Sequence, residues 1–177
     1  AERVADRQIE KEAASTGYRD LDYLVKGFIP GHLYTLTGET NIGKTAMCAN
    51  FAVRAAQQGK NVLYIALEPD TMISEYVASI IHKKRYSELT DEDITSAAEQ
   101  DGNISYYGLK EIPTPDHLIK AIARENQYQL IIIDHIGYFV RDTRNVTQEQ
   151  ANVIKKLANL AKEKFVPIIM VAHINKE

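Results

Sequence analysis

LYTLTGETNIGKTAMCANFAV, residues 33–53, is the stretch whose reading decides the fold. Its first five residues are a short β-favouring run, and residues 44–58 have a helical composition dominated by small side chains. The apolar positions of that segment lie all around it, which predicts a buried helix. Between strand and helix stand Gly38, Glu39, Thr40, Asn41, Ile42, Gly43, Lys44 and Thr45, a single match to the spacing Gly, four residues, Gly-Lys-Ser/Thr. Glycines let such a loop fold back so that successive backbone N–H groups point inward at phosphate oxygens, and the helix N-terminus adds its dipole. In this P-loop reading Lys44 reaches the β- and γ-phosphates of a nucleoside triphosphate and the Thr45 hydroxyl is a Mg²⁺ ligand. An ordinary glycine-bounded turn would need no helix behind it; strand, loop and helix in succession are the context that favours phosphate.

Working outward, strand-like and helix-like segments alternate without an internal repeat. Residues 61–67 (NVLYIAL) and 130–133 (LIII) are continuously apolar strands, 104–107 is a short strand, and the last strand is expected at 166–171. Helices are expected after Pro69, capped by Asp70 or Thr71; at 90–100; from Thr114 and Pro115 to about Glu125; and from the capping-box pair Thr147 and Gln150. Uninterrupted apolar strands between helices predict a mainly parallel α/β sheet covered on both faces. Ligands of such sheets sit beyond the C-terminal ends of the strands, where Gly38, Glu68, Asp134 and His173 all fall. Residues 1–14 are charged with a thin apolar stripe, so residues 1–15 read as a linker or docking arm ahead of one domain, 16–177.

The 177 residues, 45% hydrophobic and 25% charged, suit one ordinary globular domain. A net charge of −3 gives no global pull toward nucleic acid or acidic membranes, so any such contact must be a local patch. The single cysteine, Cys48, has no partner for an internal disulfide, and no long uncharged apolar run suggests a membrane. A cytoplasmic setting is expected.

Each strand end offers a role and a blander reading. Asp134, closing LIII, can hold Mg²⁺ through water as the carboxylate partner of the P-loop. Glu68, on a strand expected near the P-loop strand, can polarise water for attack on the γ-phosphate, or merely favour a helix start through the dipole. His173, with Asn175 and Lys176 close by, stands where a γ-phosphate sensor would sit, or is a surface or core-edge residue. His32, His82, His117 and His135 lack metal-ligand spacing and read as structural, and Cys48 reads as packing. Lys83, Lys84 and Arg85 read as a solvated helix end. Arg141 and Arg144 lie in a polar stretch that could touch a phosphate backbone.

Residues 15–45, with Thr16, Gly17, Leu21, Asp22, Gly27 and Gly31 ahead of the P-loop, resemble the opening of RecA-type ATPase domains. Together with IALEPD, LIIIDH and VAHINK the sequence is similar to the hexameric replicative helicases of the DnaB and phage primase-helicase kind, and the Asp134-His135 pair leans toward the phage-type and mitochondrial members. The resemblance implies a RecA-like ATPase using ATP or another nucleoside triphosphate with Mg²⁺. Glu68 would activate water, Asp134 would serve Mg²⁺ and His173 would sense the γ-phosphate. It further implies single-stranded DNA as partner, a hexameric homo-oligomer as the assembled form, and a nucleoid-associated place in a bacterial or phage-infected cell. Members of that family continue past the last strand seen here, which predicts a core incomplete at its C-terminal end and a P-loop strand at an open sheet edge. The alternatives are a RadA-type recombination or repair ATPase, and a loader or regulatory ATPase module that does not unwind DNA.

Overall fold

The computed structural model describes residues 12–67, 72–108, 110–112, 114–139 and 146–173. In chain order the elements are α1 (Arg19–Val25), β1 (Leu33–Gly38), α2 (Lys44–Gln57), β2 (Val62–Ala66), α3 (Ile73–His82), α4 (Asp91–Gln100), β3 (Ile104–Tyr107), α5 (Pro115–Arg124), β4 (Leu130–Asp134), α6 (Val146–Lys164) and β5 (Ile168–His173). Short 3₁₀ turns occupy Tyr86–Glu88 and Ile136–Phe139.

A strand that is apolar at every position needs cover on both faces and therefore belongs inside a sheet. The five strands lie in the order β1-β5-β4-β2-β3, every neighbouring pair parallel, and the continuously apolar β2 and β4 are adjacent in the interior. Their side chains alternate between two cores. Val62, Tyr64, Leu130, Ile132, Ile169 and Val171 pack with Cys48, Phe51 and Ala52 of α2 and Val77 of α3 on one face. Leu63, Ile65, Ile131, Ile133, Ile168 and Met170 pack with Leu118 and Ile122 of α5 and Leu157 and Ala161 of α6 on the other. This is the expected α/β sheet with helices on both faces, and β1 is at its edge, as anticipated, paired only with β5 among the described residues.

One expectation fails in a way that matters for the site. β2 does not lie near the P-loop strand, because β4 and β5 stand between it and β1. At ~4.8 Å per strand, three strand spacings put it about 14 Å away. Strand order is set by which crossovers pack well, and apolar periodicity does not report it.

Smaller differences have local causes. The last strand starts at Ile168 rather than residue 166, because the Val166 amide still donates to Ala161 O at 3.1 Å as α6 ends. Helix α3 begins at Ile73 with Met72 as N-cap and no capping side chain, in place of a cap by Asp70 or Thr71, which lie outside the described residues. Helix α6 already includes Val146, so Thr147 falls inside the helix rather than at its cap. The Thr114 and Pro115 start of α5 is as expected, with Thr114 Oγ1 accepting from the His117 amide.

Helix α1 has no buried residue, so no apolar periodicity announces it. It is tied down by polar contacts: Asp22 Oδ1 accepts from the Thr16 amide at 2.7 Å and Oδ2 from Ser15 Oγ at 2.5 Å. Burial pushes the Asp22 carboxyl up, but the hydrogen bonds from Ser15, Thr16 and Gly17 outweigh it and hold it below its ordinary value. Ahead of α1, Ala14 is buried and bridges Phe28.

Candidate functional site

At Gly38 the chain leaves β1 and turns back over itself. A Cβ at Gly38 would fall 2.3 Å from Ile42 Cδ1, the tip of an exposed side chain, so the loop folds back far enough to bring Ile42 over Gly38. Asn41 at φ 63° and Gly43 at φ 93° supply the left-handed steps that aim the chain into α2. Gly43 is the N-cap and provides no capping side chain. The first intrahelical bond runs from the Met47 amide to Gly43 O at 2.9 Å, so the amides of residues 44–46 point out of the helix end. That is an anion cradle in both geometry and dipole.

Lys44 is 7% exposed, an unusual burial for an ammonium group. Its Nζ donates to Gly38 O at 3.0 Å and to Glu39 O at 2.5 Å. Among the described residues its partners are thus neutral carbonyls of the loop itself, a cation satisfied in hydrogen bonds and left without a countercharge. Thr45, half-buried, follows in the first turn of α2.

Asp134 is 3% exposed at the C-terminal end of β4. It shares a face with Leu130 and Ile132, which pack against α2, so the carboxylate and the P-loop helix are on the same side of the sheet. Burial first, and the negative charge of Asp134 second, raise the thiol of Cys48, in the second turn of α2, above its ordinary value. The buried Tyr64 hydroxyl donates to Asp134 Oδ2 at 2.9 Å. Desolvation, followed by the same negative charge, holds the Tyr64 phenol well above its ordinary value, so it is a donor at any physiological pH.

The C-terminal ends of the parallel strands lie along one edge of the sheet. His173 pairs in register with Gly38, which puts its backbone beside the first residue of the loop, and Ala66 pairs with Asp134. The Leu67 amide continues that pairing, donating to Asp134 O at 2.7 Å. Glu68, the next residue, lies outside the described residues, as do Arg141, Arg144, Asn175 and Lys176. Because β2 neighbours β4, the strand leading to Glu68 flanks Asp134 rather than the loop.

Three of the remaining histidines have local polar partners. His82 Nε2 lies 2.9 Å from Asp93 O, His117 Nδ1 2.6 Å from Thr114 Oγ1 and His32 Nδ1 3.2 Å from Pro30 O. Cys48 is fully buried, as a packing residue should be. Lys83, Lys84 and Arg85 are exposed, as a solvated helix end should be, and Lys84 Nζ also binds both carboxylate oxygens of Asp93 at 2.7 and 2.8 Å. Tyr64 is the residue that sequence reasoning missed: it reads as one more apolar strand position, and its partner is 70 residues away.

The residues present suit a hard cation held mainly by a ligand. Among the described residues no group of three or more His, Cys, Asp or Glu could hold a metal by itself. One carboxylate, one hydroxyl and an anion cradle would be the sparse protein contribution typical of Mg²⁺ bound with a nucleotide. No helix of the described residues is long and apolar enough to cross a membrane.

Comparison with known proteins follows the same line. A probable replicative DNA helicase of Trieres chinensis is 27% identical over 92% of the chain. The replicative DNA helicases DnaB of Geobacillus stearothermophilus and of Buchnera aphidicola (Schizaphis graminum) are 24% and 28% identical over 99% and 92% of it. The chain spans 40%, 42% and 39% of the lengths of these three relatives. The RadB recombinase crystal structure superposes with a TM-score of 0.63 at 20% identity, covering 90% of the chain and 70% of RadB, which shows a RecA-like fold. The model of the DnaB-like helicase C-terminal domain matches residues 13–177, and the chain belongs to that family.

Proposed function

We propose that the chain binds ATP, or another nucleoside triphosphate, with Mg²⁺ and hydrolyses it as the motor core of a replicative DNA helicase. The observation that carries this reading is the pairing of a buried Lys44, held only by loop carbonyls among the described residues, with a buried Asp134 on the same side of the sheet. Phosphate oxygens are better acceptors for an ammonium than neutral carbonyls, so nucleotide draws Lys44 off Gly38 and Glu39. Gly38, Glu39, Thr40, Asn41, Ile42 and Gly43 contribute the backbone cradle. Thr45 and Asp134 would hold Mg²⁺, whose chemistry is to neutralise charge on the phosphate oxygens. Glu68 is assigned the water-activating role and His173 the sensing of the γ-phosphate, the latter supported by its backbone pairing with Gly38.

In its assembled form the protein is proposed to be a hexameric homo-oligomer that translocates on single-stranded DNA in the cytoplasm, with residues 1–15 as a linker or docking arm. The family membership supports DNA binding and oligomerisation in general. ATP turnover of the complete gene product, measured with and without single-stranded DNA and followed by unwinding of a forked duplex, tests the reading. DNA-stimulated turnover with directional unwinding is expected. Turnover indifferent to DNA, with no unwinding, contradicts the helicase assignment.

A further inference from the structure

The phenol that donates to Asp134 belongs to a strand interior and not to the loop at 38–45. Tyr64 is 0% exposed in the middle of β2 and stands in register with Ile132. Asp134 is two residues further along the neighbouring strand on the same face, a rise of about 6.6 Å. A tyrosine ring spans that diagonal and a serine or threonine hydroxyl would not. An ionised carboxylate only accepts hydrogen bonds and has two oxygens to offer. Tyr64 occupies one of them, Oδ2, at 2.9 Å.

We propose that Tyr64 is a positioning residue for the cation side of the nucleotide site: its hydroxyl fixes the rotation of the Asp134 carboxylate so that Oδ1 is kept for the water shell of Mg²⁺. The inference rests on the proposed role of Asp134. An apolar residue would serve the core at least as well as Tyr64, since a buried hydroxyl has to be matched by an acceptor. A phenol in this place therefore has its use in the carboxylate it holds. Partners that orient a metal-binding group in this way typically change metal affinity 10- to 100-fold when removed.

Tyr64→Phe deletes the hydroxyl and keeps the ring. Mn²⁺, visible by electron paramagnetic resonance, serves as the probe for Mg²⁺ in the presence of a non-hydrolysable ATP analogue. The Phe variant is expected to bind Mn²⁺ about tenfold more weakly, while its metal-free affinity for the analogue stays at the parent value. In an Asp134→Asn background the same substitution should have no further effect on Mn²⁺, because the group it orients is already lost. Parent-like Mn²⁺ affinity in Tyr64→Phe, with a clear loss in Asp134→Asn, overturns the role of Tyr64 and leaves the site reading intact. An equal loss from Tyr64→Phe in both backgrounds also overturns it, because the effect would then be core packing. Parent-like Mn²⁺ affinity in Asp134→Asn removes the metal role of Asp134 and this inference with it. A parent chain without nucleotide-dependent Mn²⁺ binding sinks the proposed function itself. If circular dichroism shows Tyr64→Phe to be unfolded, Tyr64→Met is read by the same criteria.

Discussion

Replacing Gly17 by alanine probes how the segment ahead of the loop is locked to the core. Gly17 has φ +79°, and a Cβ there would meet Arg54 Cγ at 2.4 Å, Cδ at 2.9 Å and Cβ at 3.0 Å. The Arg54 tip is exposed and can swing away, but its Cβ is fixed by the backbone of α2. Gly59 makes the control: its φ is +75° and nothing lies within 4 Å of its Cβ position. The left-handed conformation alone costs about 1–2 kcal/mol for a residue with a Cβ, offset by roughly 0.4–1 kcal/mol from the stiffer unfolded chain. Gly59→Ala should therefore destabilise by about 1 kcal/mol. Gly17→Ala adds an overpacking penalty of about 1–3 kcal/mol, for a total of roughly 2–4 kcal/mol and a fall in Tm of roughly 5–15 °C in a domain of this size. Urea and thermal unfolding followed by circular dichroism measure both variants. Arg54→Ala in the Gly17→Ala background removes the clashing Cγ and Cδ and should recover part of the loss. If Gly17→Ala costs no more than Gly59→Ala, or Arg54→Ala recovers nothing, the packing of the Thr16 to Asp22 turn on α2 is not as described.

Glu68→Gln should leave binding of ATP and Mg²⁺ in place and lower turnover of the complete gene product at least ~100-fold; turnover within a few-fold of the parent makes Glu68 a helix-start residue only. Asp93 is held down to about 2 by its hydrogen bond from Lys84 and those from Thr90. A carboxyl lowered in the folded state stabilises above its unfolded value and loses that contribution as pH falls through its folded value. Stability of the parent chain should therefore drop between about pH 4 and pH 2 partly on account of Asp93, and Asp93→Asn should flatten that stretch of the curve. Urea midpoints across the interval decide it, and parallel curves for parent and variant would remove the Lys84 contact from the acid response.

What the sequence made legible was chemistry written locally. The loop at 38–45 depends on residues within eight positions, and so does the burial of α2, which follows from its all-round apolar composition. The two continuous apolar runs identified β2 and β4 as interior strands, because only a strand covered on both faces has that composition. Their order relative to β1 was not legible, since side-chain alternation is the same whichever neighbour a strand takes. Helix α1 escaped notice because it buries no side chain and is held by the Ser15, Thr16 and Asp22 hydrogen bonds instead. Asp134 was found because a carboxylate after an apolar strand stands out. Tyr64 was not, because a tyrosine within VLYIA looks like any other core residue until the adjacent strand is known.

The central claim is that residues 38–45 cradle the phosphates of a nucleotide with Lys44 as their cation. Calorimetric titration of the chain with a non-hydrolysable ATP analogue and Mg²⁺, parent against Lys44→Ala, tests it most directly. A hydrogen bond from a charged donor contributes about 1.5–3 kcal/mol, so the variant should bind at least about tenfold more weakly while unfolding near the parent temperature. Equal affinity in the two proteins, or a parent chain that takes up no nucleotide, would contradict the account.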